Sequence, residues 1–544
     1  MKIKISAILA AIGSLLMVTG CYEDKGNYSY NELDEIEVTF PASIECMQGD
    51  MMSFSPKVVS SLHGEIKADN PTYEYTCRIN HAYYDENRIR VLWTDVNPEH
   101  TKDISFTASY PAQNYTFWYI VKNKETGVER NFRGTLNIKS ATSEGWMVLS
   151  NNGPAKKSRL DIIYTNAEGK DMLYADIKDA NSPEIYNATG IVYLPSKMTG
   201  GDIIYLLSES GSYKLDKNRL VTTASENIKN YEFSSLETPG EVVTFFPILA
   251  GGYSATTKLC VTTEGDAYGV HSGSAGSGFE YPMNSDAPGN PATYKVAPMI
   301  GSSMKPTSWC GLFYDITNGR FMGSYYTYQW GVDTPVESKL LFTLLEPEQP
   351  IFTFNPGMKF IDMESTAFSD GDVFTVLEDN SGKRHVYVIN MAGYTRAGSF
   401  KQKAYYNNIN AENFHTATDY AVHSQYVFMF YCLGNKVYCY DYVSGIVKDV
   451  ITLPNGENAS LVKFNRFNNL RLSSMLYDLN NTSEEFLNLE NELIVGSSTG
   501  EENGGVVRIY KISPQGKMEL HKEFKGLGEE IVDVTYRERQ TNPL

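Results

Sequence analysis

The motifs of metal, nucleophile and phosphate chemistry are missing from this chain. Its eight histidines never fall at HExxH or related ligand spacing, so a zinc hydrolase of that kind is unsupported. Seven cysteines contain no CxxC pair, which leaves out zinc ribbons and thioredoxin-like redox sites. There is no GxSxG elbow and no GxxxxGK[ST] phosphate loop. Positive charge is in deficit: 47 Lys and Arg face 65 Asp and Glu, a net charge of −18. That balance argues against nucleic acid or anionic lipid headgroups as partners. Beyond residue 20 no run is long and apolar enough to span a bilayer.

Aromatic residues are abundant, with 38 Tyr and 25 Phe, and such rings favour the pleated surface of a strand. Residues 1–20 read as a signal peptide: Lys2 and Lys4 precede the short apolar run Ile5–Val18. Val18-Thr19-Gly20-Cys21 resembles a bacterial lipobox, which implies lipidation of Cys21 and a lipid as the only anchor. Residues 21–35 are polar and form a tether. Within them Tyr22-Glu23-Asp24 reads either as a surface-export signal or as solvated linker. Of the remaining cysteines, Cys46 and Cys77 could bridge two strands or stay reduced. With Gly434-Asn435 as a turn, Cys432 faces Val437 and Cys439 faces Phe430, a diagonal too long for an unstrained disulfide.

From residue 36 to 142 short strands alternate with Asn, Pro, Gly and charged breaks: Glu35–Phe40, Met51–Val59, Thr72–Ile79, Arg88–Thr94, Ile104–Tyr110, Tyr115–Lys122 and Asn131–Lys139. Seven such strands in about a hundred residues predict an Ig-like β-sandwich. The start CYEDKGNYSYNELDEI (Cys21–Ile36), taken with the closing hairpin YTFWYIVKNKETGVERNFRGTLNIK, resembles the PKD-like lipoproteins of Bacteroidota. The resemblance implies an accessory surface lipoprotein of a Sus-like uptake system. Its partners would be a TonB-dependent transporter and that transporter's SusD-like lid protein. Only Cys21 carries over as a functional residue.

Residues 143–544 repeat a hairpin whose turns hold Gly153, Gly211, Gly265, Gly319, Gly382, Gly434 and Gly504, at intervals of about 50–70 residues. Such a period predicts a seven-bladed β-propeller; an irregular double sandwich is the alternative. No tryptophan-aspartate or kelch signature marks the repeats. The first hairpin, from Trp146, lacks an inner strand, while Ile531–Tyr536 is a strand that lacks a hairpin. The two are expected to pair, so that the C-terminal strand closes the ring.

Three loops interrupt the rhythm: His271–Lys295, Gly323–Ser338 and Phe400–His415. Aromatic platforms flanked by amides cover the apolar faces of sugars and peptides, and loops concentrate function. Tyr325, Tyr326, Trp330, Tyr405 and Tyr406, with Asn407 and His271 as polar partners, are therefore the candidate ligand contacts; each could equally pack between blades. Asp370-Gly371-Asp372 reads as a turn or as a cation contact, and no metal or cofactor is expected. The function that follows is an outer-membrane surface lipoprotein that captures a glycan, a peptide or a metal chelate, or docks on a transporter. A surface polysaccharide hydrolase or lyase is the alternative, and a propeller binding only protein is the third reading.

Overall fold

A computed structural model describes residues 34–84, 88–166, 168–194, 203–234, 240–247, 258–270, 278–302, 310–325, 340–366, 371–391, 400–454, 456–465 and 488–538. The expected signal peptide, Cys21 and most of the tether lie outside these residues. So do His271, Tyr326 and Trp330. The architecture is all-β, and α-helix among the described residues is confined to the one-turn Lys229–Glu232 and to residues 488–490.

The chain forms two compact units. One comprises Met1–Ile44, Met51–Phe106 and Thr116–Thr135; the other comprises Glu45–Asp50, Thr107–Tyr115 and Leu136–Leu544. The N-terminal region carries a five-stranded sheet in the order Ser43–Met47, Glu129–Lys139, Asn114–Asn123, Tyr73–Ile79, Thr94–Asp95. A three-stranded sheet joins Ile36–Thr39, Lys57–Ser60 and Gly64–Glu65. Aromatic packing fills the smaller unit: the Phe117 ring lies 5.2 Å from Phe40 and 5.8 Å from Phe54, and Tyr75 stacks on Tyr119 at 5.9 Å. Two expected elements differ. The run Met51–Val59 is two strands, Met51–Phe54 and Lys57–Ser60, because Pro56 supplies no N–H to a ladder. Arg88–Thr94 holds one two-residue strand, Arg90–Val91, and the first residue of another, Thr94–Asp95. Cys46 and Cys77 are both buried and reduced.

The larger unit contains seven antiparallel sheets of three or four strands among the described residues. The middle two strands of the fifth, sixth and seventh are Asp372–Glu378 with Arg384–Asn390, Phe428–Leu433 with Lys436–Asp441, and Leu493–Ser498 with Gly505–Ile512. Each of the seven marker glycines falls in a turn between two strands of one sheet. At Gly434, φ is +55°, a left-handed value that a two-residue hairpin needs and glycine adopts freely. The turn fixes the register beyond it: Cys432 is opposite Val437 and Phe430 is opposite Cys439, and both thiols are free and buried.

These middle strands are apolar on both faces, because consecutive side chains point to opposite sides. Met147 and Leu149 of the first sheet pack with Ile191 and Ile204 of the second. Tyr205 and Leu207 of the second pack with Val242 and Cys260 of the third. Leu259 and Val261 meet Phe313 and Met322 of the fourth. Leu312 and Tyr314 meet Met363 and Val373 of the fifth. Phe374 and Val376 meet Val422 and Tyr431 of the sixth. Phe430 and Val437 meet Val462 and Val495 of the seventh. Ile494 and Val507 of the seventh pack with Trp146, Val148 and Val534 of the first. The first sheet has the strand order Asp171–Tyr174, Lys157–Thr165, Gly145–Asn152, Glu530–Arg537. Trp146 is opposite Tyr536 and Ser150 is opposite Ile531, which is the pairing expected from the unmatched ends.

The first strands share a feature that hydropathy does not reveal. Their registers slip at Val532, Thr189, Val243, Ile361 and Ser460, the same place in five sheets. A bulge there turns polar groups toward the next sheet. Thr189 Oγ1 donates to the Val243 carbonyl at 2.9 Å, and Ser460 Oγ to the Ile531 carbonyl at 2.8 Å. The Asp533 carboxylate accepts the Ile191 N–H at 2.8 Å; in the sixth sheet, whose first strand has no slip, the Asp419 carboxylate accepts that of Val462 at 2.7 Å.

Candidate functional site

A cavity of about 1050 Å³ lies within the larger unit. It is built where first strands end and second strands begin in the first, sixth and seventh sheets. Pairing of Trp146 with Tyr536 sets their rings edge to face, with centroids 4.9 Å apart. The Tyr536 hydroxyl donates to Glu144 Oε1 at 3.0 Å. From the sixth sheet, the link after Asp419–Val422 brings in His423. Its Nδ1 accepts the N–H groups of Gln425 at 2.9 Å and Tyr426 at 3.1 Å, and Tyr426 stacks on the imidazole at 4.7 Å. From the seventh sheet, Glu492 stands just before the strand Leu493–Ser498. Its Oε1 lies 2.9 Å from His521 Nδ1. The residue is 4 % exposed, and Oε2 is buried with no hydrogen-bond partner among the described residues.

Charge in the lining is largely paired. Asp171 holds Lys522 at 2.9 Å and the Thr165 hydroxyl at 2.9 Å. Lys139 is paired with Glu45 at 2.9 Å. Asn488, Asn491 and Gln425 add amides to the wall. Chemically the cavity offers aromatic faces, amide donors and acceptors, and carboxylates already tied to a phenol or an imidazole. Among the described residues no group of three His, Cys, Asp or Glu side chains is placed to hold a metal ion.

The described residues of the aromatic loops fall elsewhere. Gly323–Ser338 begins inside the strand Arg320–Tyr325, and Tyr325 is 8 % exposed within the core shared by the fourth and fifth sheets. The expected loop Phe400–His415 begins instead as the strand Lys401–Tyr406, the fourth of its sheet; its lysine-rich alternation hides it as a solvated outer strand. Successive residues of that strand separate Tyr405 from Tyr406. Tyr405 packs 4.7 Å from Tyr387, and its hydroxyl meets His385 Nδ1 at 3.0 Å; His385 Nε2 in turn lies 3.0 Å from Asp379 Oδ2. Tyr406 packs 5.4 Å from Tyr442 on the other side, and burial raises its phenol pKa. Asn407 follows the strand and is exposed. None of these described residues lines the large cavity.

A second electrostatic feature lies on the first strands of the fifth and sixth sheets. Burial pushes the Asp362 carboxyl up to about 7, against the opposing pull of the Met363 N–H and Arg384. Burial and the neighbouring Asp362 likewise hold Asp419 well above the carboxylate range. Asp362 Oδ2 has no hydrogen-bond partner among the described residues.

Sequence reasoning passed over the cavity because its parts lie at 144–146, 423–426, 488–492, 521 and 536. The one available signal was the expected pairing of Trp146 with the C-terminal strand.

The fold and cavity define an all-β protein with a PKD-like N-terminal region and a propeller-like series of sheets. The model of the PKD-like family matches residues 21–189, beyond the sandwich and into the second sheet of the larger unit. Among solved structures, the chain is similar to a quinonprotein alcohol dehydrogenase-like protein from Bacteroides thetaiotaomicron, with 11% identity over 92% of this chain and 97% of that one and a TM-score of 0.40. It is also similar to a DUF4784 family protein from Bacteroides caccae, at 11% identity over 76% and 95% with a TM-score of 0.29. The β-propeller domain of Cps50 (Swd1) from Myceliophteria thermophila matches at 8% identity over 69% and 98%, with a TM-score of 0.37. At such scores these likenesses bear on neither activity nor ligand. No curated protein matches the chain.

Proposed function

We propose that this protein is a lipid-anchored, outer-membrane surface protein that captures a nutrient ligand in the cavity between its first, sixth and seventh sheets. The observation that carries the reading is the cavity: about 1050 Å³, walled by Trp146, Tyr426 and Tyr536, with amides and engaged carboxylates between the rings. The larger unit is read as a seven-bladed propeller closed by its C-terminal strand. Seven successive sheets with shared apolar faces, and the pairing of Gly145–Asn152 with Glu530–Arg537, support that reading. Anchorage rests on the Cys21 motif. The match of residues 21–189 to the PKD-like family supports the proposed setting beside a TonB-dependent transporter and its SusD-like lid protein.

A hydrolase or lyase is the second reading. It is favoured by Glu144 and Glu492 in one cavity wall, the latter with an unpartnered oxygen. The test is calorimetric binding and product analysis with the mature chain against glycans, peptides and ferric siderophores. Saturable binding without turnover, lost when the cavity wall is altered, is the expected result. Turnover that disappears in Glu492→Gln would replace it with the second reading. Binding untouched by any change in the wall would remove the cavity from the function.

A further inference from the structure

We infer that the cavity takes a neutral oligosaccharide rather than a charged glycan, a peptide or a metal chelate; the inference rests on the cavity being the ligand site. Three properties of the wall converge on that class.

The first is charge. Sites for anionic ligands gather uncompensated cations, and sites for cations gather free carboxylates. Here Lys522 is bound to Asp171, Lys139 to Glu45, and His521 to Glu492, each at 2.9 Å. Glu144 is engaged by the Tyr536 hydroxyl at 3.0 Å. Lys511, the remaining lining lysine, is exposed. A charged ligand would have to break these pairs without finding a cluster to replace them.

The second is the mixture of surfaces. Tyr426 and Tyr536 supply aromatic area, the latter backed by the buried Trp146, and Gln425 and Asn488 supply amides that both donate and accept. A sugar ring presents C–H faces alongside hydroxyls that donate and accept in the same way. Engaged carboxylates keep lone pairs open for those hydroxyls. The third is size. About 1050 Å³ stands at the top of the range for small-molecule sites, roughly 300–1,000 Å³, and is generous for a single sugar.

The experiment is titration calorimetry with the mature chain against four neutral hexasaccharides (malto-, cello-, xylo- and mannohexaose), hexagalacturonate, a mixed hexapeptide pool and ferric enterobactin. It is repeated with Tyr426→Ala and with Gln425→Ala, the latter at an exposed position that leaves the core untouched. Melting curves check that both variants fold. The expected result is binding of at least one neutral hexasaccharide. It should be weakened tenfold or more by Tyr426→Ala, measurably by Gln425→Ala, and changed less than twofold between 0.05 and 0.5 M NaCl. Binding confined to hexagalacturonate, peptide or ferric enterobactin, but still lost in the variants, overturns the ligand class and leaves the cavity reading standing. Neutral-glycan binding that ignores both variants, or no binding by any probe, overturns both.

Discussion

Deleting residues 528–544 tests how the larger unit is held together. The deletion removes the strand Glu530–Arg537, whose Ile531 and Val534 are 1 % and 0 % exposed between the first and seventh sheets. Burial of side chains of this size contributes about 1.5–3 kcal/mol each, so roughly 3–6 kcal/mol is lost from these two alone. Asp533 goes with them. Its carboxylate holds the Ile191 N–H and the Lys463 ammonium, and leaving a buried N–H unpaired costs about 1–3 kcal/mol more. The strand Gly145–Asn152 is left with an open edge, which invites association with other chains. The total is on the order of 4–9 kcal/mol, comparable to the whole 5–15 kcal/mol stability of a typical domain. Differential scanning calorimetry and limited proteolysis are the assays. The truncated protein should melt more than about 10 °C lower, or lose its cooperative transition and aggregate. A control ending at Glu538 keeps the strand and should melt like the full chain. If the protein lacking 528–544 melts within about 2 °C of the intact one, the strand does not support the unit and the closure argument fails.

Three further outcomes are expected. The carboxyl of Asp362 titrates above its ordinary range, so its stabilising contribution is complete below about pH 4 and is lost as pH rises through about 7. Melting temperature should fall from pH 5 to pH 8, and Asp362→Asn, which keeps the neutral form, should reduce that fall; an unchanged slope would assign the effect elsewhere. Cys21→Ser should move the protein from the membrane to the soluble fraction, and retention through a high-salt wash would mean a second anchor. Tyr325→Ala, at a core position, should cost about 3–5 kcal/mol in denaturant unfolding; unchanged stability with lost ligand binding would return the aromatic loops to the site.

Some features were readable because their causes are local. Gly434-Asn435 dictates a two-residue turn, and every pairing from Phe428↔Asp441 to Leu433↔Lys436 follows from it. The marker glycines were legible for the same reason. Harder elements failed for physical causes that can be named. Lys401–Tyr406 reads as a loop in the sequence because an outer strand exposes alternate residues and carries lysines, as loops do. Ser43–Met47 is hard to read because it is short and only Cys46 among its five residues is buried. The bulges at Thr189, Val243, Ile361, Ser460 and Val532 leave no mark on hydropathy, because one extra residue shifts the register without changing composition.

Sequence by itself determined that this chain is made of short antiparallel hairpins. Alternating apolar side chains and left-handed glycines act within about ten residues, and no distant partner is needed to form them. It also determined that Trp146 and Ile531–Tyr536 needed each other, since one began a hairpin without an inner strand and the other was a strand without a hairpin. Only the tertiary structure decided what those hairpins enclose. Glu144, His423, Glu492, His521 and Tyr536 come from three sheets and nearly 400 residues of chain, and nothing local to any of them indicates a cavity. The same holds for Asp362: as a residue it is an ordinary carboxylate, and its raised pKa arises because packing of neighbouring sheets removes water from it.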